Sequence, residues 1–159
     1  MENNRATIIL FSDALDKVLA AFTIAITSAS MGLDTTIFFT FWGLNVIKKE
    51  KGKIETKGIL RKMLNLINRG GVSRLRISKF NMGGIGTKMM KTLMKDIKMQ
   101  DLDEMIKTAK QLGIKFVACT TSIGVMGLPK DAFIPEVDEF AGAATYIGIA
   151  KESKINLFI

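Results

Sequence analysis

The chain of 159 residues contains no histidine and a single cysteine, Cys119. Without histidine it lacks the usual general base and the commonest metal ligand, and it cannot form a Ser-His-Asp or Cys-His arrangement within one chain. One cysteine excludes an internal disulfide and a two-thiol redox centre, and no cysteine cluster suggests a zinc site. We therefore expect no metal and no cofactor, and a reducing cytoplasm as the compartment.

Long hydrophobic runs are also missing. The first apolar run, Thr7 to Phe11, is too short for a signal peptide. The stretch Val18 to Leu33 falls short of the roughly 20 residues that a membrane-spanning helix needs. Apolar residues make up 48% and charged residues 24% of the chain, which is typical of a globular protein. The length favours a single domain over residues 1–159.

Acidic residues are scarce in one part of the chain. Residues 48–98 contain 15 Lys and Arg against three acidic residues, a local charge of +12 in a chain of net charge +8. Such asymmetry indicates either a solvated basic face or an anionic partner. Nucleic-acid binding would favour interleaved aromatic residues for stacking, and Phe80 is the only aromatic residue of this segment. We therefore expect no nucleic-acid partner.

Apolar runs and helical periodicities alternate along the rest of the chain. β-branched or apolar runs predict strands at 7–11, 35–41, 73–80, 116–119 and 155–159. Apolar residues at i, i+3 and i+4 spacing predict helices at 15–29, 59–67, 89–97, 102–112 and 138–150, and the charged stretch 48–57 predicts a mobile loop. Strands that alternate with helices predict a three-layer α/β/α sandwich around a mostly parallel, five-stranded sheet.

Acidic residues placed ahead of three of these helices predict where the helices begin. Asp13 and Asp16 form a box-like pair before the first helix, and Asp101 with Glu104 forms one before the fourth. Asp138 is expected to start the last helix.

The stretch Lys115 to Leu128 carries the candidate site. Cys119 ends an apolar run and is followed by Thr120, Thr121 and Ser122. Ligands usually bind at the carboxyl edge of an open parallel sheet, and the first N–H groups of a helical turn there would favour the thiolate, the reactive form of cysteine. The alternative is that Cys119 is a small core residue.

Two further features are candidates for substrate binding. Trp42 follows the second predicted strand at the same edge, where it either fills the core or acts as a lid or interface residue beside the thiol. The glycine-rich stretch 81–88 includes Gly84 and Gly86 and ends at Lys88. Its consecutive N–H groups would cradle an anion, although it lacks the Walker spacing; the alternative is a flexible connector.

A methionine-rich helix follows that loop. Met89, Met90, Leu93, Met94 and Ile97 form an apolar stripe with lysines around it. Such a stripe is typical of a core or an interface, and we expect it to be buried in a homo-oligomer. A basic amphipathic helix also leaves open a peripheral contact with a membrane surface.

Three segments together resemble the DsrE/DsrF-like sulfur-relay family, in the branch labelled peroxiredoxin-like: NMGGIGTKMM, LGIKFVACTTSIGVMGL and FAGAATYIGIAKESKINLFI. The resemblance covers nearly the whole chain, and the ACxxSxxVMGL pattern is its most specific part. It implies a flavodoxin-like sandwich that assembles into trimers or hexamers. It also implies a cysteine that carries sulfur as a persulfide or thiosulfonate, and Cys119 matches that position.

The same resemblance implies TusA-like or rhodanese-like partners in the cytoplasm. Some members of the branch carry a second cysteine or an added membrane segment, and this chain has neither, which argues against a two-thiol or membrane-bound scheme. The peroxiredoxin label finds no support because the chain has no resolving cysteine.

Three functions follow from these observations. The first is a sulfur carrier or sulfurtransferase that works through Cys119, and the sequence leaves open whether it is an enzyme. The second is a non-enzymatic oligomeric binding or assembly module with a structural cysteine. The third is binding of nucleic acid or another anion through the basic segment 48–98.

Overall fold

Five strands form one sheet in the part of the chain that the computed structural model describes, residues 4–50 and 55–159. The strands are β1 (Arg5–Leu10), β2 (Asp34–Phe39), β3 (Lys115–Cys119), β4 (Glu139–Ala141) and β5 (Ile155–Phe158). They lie in the order β4-β3-β2-β1-β5, and every neighbouring pair is parallel. All five carboxyl ends therefore meet at one edge of the sheet.

Six α-helices occur in the same described residues, connected by short 3₁₀ turns and loops. The helices are α1 (Leu15–Ser30), α2 (Ile59–Ile67), α3 (Ile85–Asp96), α4 (Leu102–Gln111), α5 (Thr120–Met126) and α6 (Ala143–Ala150). The 3₁₀ turns are Phe41–Ile47, Val72–Arg74, Met82–Gly84 and Lys130–Ala132. No described helix is both long enough and apolar enough to cross a membrane.

The main core lies on the face of the sheet that α1 and α4 cover. Because side chains alternate along a strand, Phe39 and Phe116 point to this face, where they meet Phe22 of α1. The three rings contact one another at centroid distances of 5.3 to 6.5 Å. Helix α4 packs beside α1 and completes this layer.

The opposite face is covered by α6, a helix of eight residues. Tyr146 of α6 packs on Phe38 at a centroid distance of 5.2 Å, and Val117 and Cys119 belong to the same small cluster. Helices on both faces of a parallel sheet confirm the predicted three-layer α/β/α sandwich.

The predicted strand at 73–80 is wrong. Its residues form a 3₁₀ turn and an irregular segment that lies against the first turn of α1. The backbone N–H of Leu15 donates to the carbonyl of Arg76, and the N–H of Ser78 donates to the Asp16 carboxylate, at 2.8 Å each. The polar backbone groups of this segment thus bond to a helix start, and no strand pairs with it.

The predicted capping pair of Asp13 and Asp16 is also wrong, because both carboxylates bond to residues far away in the chain. The N-cap of α1 is Ala14, and it makes no side-chain cap. The carboxylate of Asp16 accepts a hydrogen bond from the N–H of Ser78, and the carboxylate of Asp13 accepts one from Asn45 at 2.7 Å. By contrast, the capping box of Asp101 and Glu104 at the start of α4 is confirmed in both directions.

The last helix also begins later than predicted. Asp138 accepts a hydrogen bond from the N–H of Phe116 at 2.7 Å and pairs with Lys110, which ties the segment to the start of β3. Residues 139–141 then pair with β3 as strand β4, and α6 begins at Ala143. Residues 139–141 thus form a strand where a helix was predicted, because they pair with β3. The spacing of residues along the chain does not show this pairing.

The predicted loop at 48–57 is described only in part, since residues 51–54 lie outside the described residues. Lys48 is 1% exposed and forms an antiparallel bridge with Phe133. The first residue of the predicted loop is therefore buried and paired. Desolvation by burial lowers the pKa of Lys48 to about 8, against the opposing attraction of Asp13.

Helices α2 and α3 form where periodicity predicts them, but their apolar stripes are open in the isolated chain. The exposed apolar residues of α2 are Ile59, Leu60, Met63, Leu66 and Ile67, and those of α3 are Ile85, Met89, Met90 and Leu93. Met94 is buried. The stripe of α3 therefore contributes little to the core of one chain.

Candidate functional site at the sheet edge

Cys119 is the last residue of β3, and α5 begins at the next residue. Its side chain lies on the face that α6 covers, and the residue is 5% exposed. Thr120 and Thr121 after it are exposed, whereas Ser122 is buried. The thiol is therefore set just beneath the surface at the carboxyl edge of the sheet.

The thiol is surrounded by hydrogen-bond donors from two neighbouring strand ends. Four groups lower the pKa of the thiol through hydrogen bonding: the backbone N–H and the hydroxyl of Ser122, the hydroxyl of Thr40 and the backbone N–H of Thr121. The hydroxyls of Thr40 and Ser122 also lie 2.9 Å apart. Thr40 directly follows β2, which is the neighbour of β3 in the sheet, so sheet order brings these groups together.

These bonds set the protonation state of the thiol. Burial is the largest single effect and raises the pKa of Cys119, but the bonds from Ser122, Thr40 and Thr121 together outweigh it, so that the pKa is lowered. Hydrogen bonds to a charged form stabilise that form. The site thus raises the fraction of thiolate, the nucleophilic form of cysteine, above that of an ordinary thiol.

Exposed aromatic side chains lie close to this site along the chain. Phe41 and Trp42 follow Thr40 and are 42% and 41% exposed, so Trp42 does not fill the core. Phe41 has a φ of 47°, a left-handed conformation that is unusual for a bulky residue. Phe11 packs against both Phe41 and Phe158, with centroid distances of 5.5 and 5.7 Å.

The glycine-rich loop lies in another part of the molecule. Gly84 has a φ of 104° at the start of α3, and it lines a pocket with Asp13 and Asn45 that does not include Cys119. Gly86 packs so tightly on the carbonyl of Phe80 that a Cβ would come within 2.0 Å of the oxygen. Lys88 is exposed on α3. The role of this loop as a cradle for an anion stays a prediction.

Thr40 is the residue that the sequence analysis missed. It is a polar residue inside the run Thr35 to Phe41, which was assigned whole to a strand, and the strand in fact ends at Phe39. Its polarity before Phe41 and Trp42 is the signal that could have located the strand end. Once β2 and β3 are neighbours, Thr40 is placed beside Cys119.

The fold and the site define a class of protein: a parallel α/β sandwich with one hydrogen-bonded thiol at the carboxyl edge of its sheet. The model of the DsrE/DsrF/DrsH-like family matches residues 2–158. The chain therefore belongs to the DsrE/DsrF/DrsH-like family.

Two relatives are similar over the whole chain. Protein YrkE of Bacillus subtilis is 39% identical over 158 residues, which cover 99% of this chain and 98% of YrkE. The sulfur carrier protein DsrE2 of Allochromatium vinosum is 31% identical, with all of both chains covered.

Two solved structures share the fold at low sequence identity. The ychN protein of Escherichia coli has a TM-score of 0.57 at 11% identity, with 98% of this chain and 99% of ychN covered. MTH1491 of Methanobacterium thermoautotrophicum has a TM-score of 0.52 at 13% identity, with 92% and 90% covered. At these identities the likeness concerns the fold alone.

Proposed function

We propose that this chain is a sulfur-trafficking protein that carries sulfane sulfur or a thiosulfonate group on Cys119. The observation that carries the proposal is the set of donors from Ser122, Thr40 and Thr121, which lowers the pKa of the thiol despite its burial. Family membership and the 31% identity to a protein named as a sulfur carrier support the same role.

The loading step needs only the thiolate and a donor that contains a sulfur–sulfur bond. The thiolate of Cys119 attacks the outer sulfur of a donor such as thiosulfate. A new S–S bond forms on Cys119, the S–S bond of the donor breaks, and sulfite leaves with the electron pair. With tetrathionate, the thiolate attacks an inner sulfur, the central S–S bond breaks, Cys119 keeps a thiosulfonate group and thiosulfate leaves with the electron pair.

In the unloading step, the outer sulfur is transferred from Cys119 to a second thiol by the same kind of exchange. An acceptor thiolate attacks the outer sulfur of the Cys119 persulfide, and Cys119 leaves as a thiolate stabilised by the bonds that lowered its pKa. The exposed side of the site, at Thr120 and Thr121, is where donor and acceptor approach. In this proposal the acceptors are TusA-like or rhodanese-like proteins, the compartment is the cytoplasm, and the chain works as a trimer or hexamer.

Intact-protein mass spectrometry tests the proposal directly. Wild-type protein incubated with thiosulfate, tetrathionate or polysulfide should gain the mass of added sulfur or of a thiosulfonate group, and a reductant should remove it. The Cys119→Ala variant should gain nothing, and Thr92→Val, whose hydroxyl bonds to the carbonyl of Lys88 within α3, should load like wild type. Absence of an adduct with all three donors would reject the carrier function.

A second candidate is an oligomeric binding module in which Cys119 is structural. The open apolar stripes of α2 and α3 favour it, because contiguous exposed apolar surface usually marks an interaction site. The two functions differ in thiol reactivity. A carrier thiol reacts with iodoacetamide in the native protein at neutral pH, whereas a structural one reacts only after unfolding.

A further inference from the structure

A second polar site lies at the same edge of the sheet, beyond the ends of β1 and β2. It is a pocket of about 520 Å³. Asp13 from the loop after β1 and Asn45 from the turn after β2 line it, together with eight residues between Ile67 and Arg76 and with Gly84 and Thr87 at the start of α3. In open α/β sheets, ligands bind in crevices outside the carboxyl ends of the strands.

Three arginines line this pocket: Arg69, Arg74 and Arg76. The guanidinium of Arg74 is held by the carbonyls of Gly70 and Glu50, at 2.9 and 3.2 Å. Among the residues that the structure describes, none forms an ion pair or a side-chain hydrogen bond with Arg69 or Arg76. These two guanidinium groups thus keep their donors for a ligand.

Two acidic side chains lie near these cations. Glu50 accepts a bond from the backbone N–H of Ser73 at 2.7 Å and attracts Arg74. Asp13 lines the pocket, but its carboxylate already accepts a bond from Asn45 and attracts the buried Lys48. The ammonium group of Lys48 donates to the carbonyl of Asn68, a lining residue, at 3.1 Å. The balance of charge around the pocket is therefore positive.

The pocket also contains polar atoms that lack a partner within the protein. Asn45 is 1% exposed, and its Nδ2 donates to Asp13 and to Oδ1 of Asn68, at 2.7 and 2.6 Å. This arrangement leaves Oδ1 of Asn45 and Nδ2 of Asn68 buried without a hydrogen bond. Leaving buried polar atoms unsatisfied is costly, so these two atoms mark a position where a bound molecule, a ligand or an ordered water, supplies the missing bonds.

We propose that this pocket binds a small molecule through a tetrahedral oxyanion group, as found in phosphate, sulfate and thiosulfate. Arginine forks match the oxygens of such groups, and the free Nδ2 of Asn68 is a further donor. Phosphate keeps a proton near neutral pH that it can donate to Oδ1 of Asn45, whereas sulfate and thiosulfate keep none. The site does not depend on sulfur chemistry at Cys119, which is absent from its lining.

Isothermal titration calorimetry on the full chain tests this site, with phosphate, sulfate and thiosulfate as probes at constant ionic strength. Arg69→Gln/Arg76→Gln should weaken binding about tenfold or more, because charge-assisted hydrogen bonds are lost while no described intramolecular bond is broken. The matched control, Lys62→Gln/Lys151→Gln, removes the same charge elsewhere and should bind like wild type. Asn68→Asp, which adds a negative charge while keeping the acceptor for Asn45, should also weaken binding.

The probes distinguish two sources of the oxyanion group and separate this site from the thiol. Tighter binding of thiosulfate than of phosphate would assign the pocket to a sulfur donor, and the reverse order would assign it to a phosphorylated ligand. Cys119→Ala should bind every probe like wild type even if it loads no sulfur. The proposal would be overturned if none of the three probes gave a heat of binding. It would also be overturned if the arginine variant and the lysine control bound the probes equally well. Binding of an RNA oligonucleotide by a chain that binds none of the small anions would overturn it as well.

Discussion

The two faces of the sheet bury very different numbers of side chains. Among the described residues, the cluster on the α1 and α4 face contains 25 buried hydrophobic residues, and the cluster on the α6 face contains five. Cys119 belongs to the small cluster, whereas its neighbours Phe116 and Ala118 belong to the large one. Because side chains alternate along β3, one strand serves both faces. The large face supplies stability, and the small face leaves room for a thiol near the surface.

The largest expected effect is a difference in stability between the two faces of β3. Phe116→Ala removes a ring that packs against Phe22 and Phe39, so it should lower the free energy of unfolding by about 3–5 kcal/mol. Val117→Ala, on the small face, should cost about 2 kcal/mol or less, because two methyl groups are lost from a thinner layer. Urea unfolding measures both. Equal losses would show that the faces contribute alike to stability.

The next effect concerns the pH dependence of the thiol. Since the native pKa of Cys119 is lowered, its alkylation rate should fall with decreasing pH through a midpoint below that of an ordinary thiol. Ser122→Ala removes one donor hydroxyl, so the midpoint should rise toward that of an ordinary thiol. Stopped-flow iodoacetamide labelling across pH measures the midpoint. Thr121→Val keeps its backbone N–H and is the control. If Ser122→Ala and Thr121→Val had the same midpoint, the Ser122 hydroxyl would not lower the pKa of Cys119.

The same lowered pKa links stability to pH. Between the native and unfolded pKa values the native state binds fewer protons, so its free energy of unfolding rises with pH through that window. This contribution is fully present above the unfolded pKa and is lost as pH falls through the native pKa. Cys119→Ala lacks this contribution. The difference in free energy of unfolding between wild type and Cys119→Ala, measured by urea unfolding across pH, therefore isolates it.

The smallest expected effect lies on the large face and should leave the thiol untouched. Asp101→Ala breaks the capping box of α4 and should lower the free energy of unfolding by about 1 kcal/mol. Gln111→Ala, at the exposed end of the same helix, should change it by about 0.5 kcal/mol or less. Thermal unfolding measures both variants. A change in the Cys119 labelling rate of Asp101→Ala would mean that the two faces are coupled.

Local patterns predicted much of the fold because each depends on neighbouring residues. The spacing of apolar residues placed α1, α2 and α4 correctly, and the pair Asp101 and Glu104 marked the start of α4. The end of β3 at Cys119 followed from the polar residues after it. The family resemblance, which the family model and the relatives confirm, supplied the assembly and partner expectations that stay proposals.

The wrong predictions share one physical cause. Asp13, Asp16 and Asp138 are each suited to cap a helix, but distant partners occupy their carboxylates: Asn45, Ser78 and the N–H of Phe116. Segment 73–80 alternates like a strand, yet its backbone bonds to α1. A hydrogen bond between residues far apart in the chain leaves no local pattern.

The sequence by itself determined that one thiol, without histidine or a second cysteine, ends a buried strand in a parallel α/β domain. Those conclusions need only composition and short-range periodicity. Only the tertiary structure decided which groups surround that thiol, because Thr40 reaches Cys119 through the pairing of β2 with β3. It also assembled the arginine pocket from four separate segments of the chain. Both sites depend on strand order, which is set by the packing of the whole sheet.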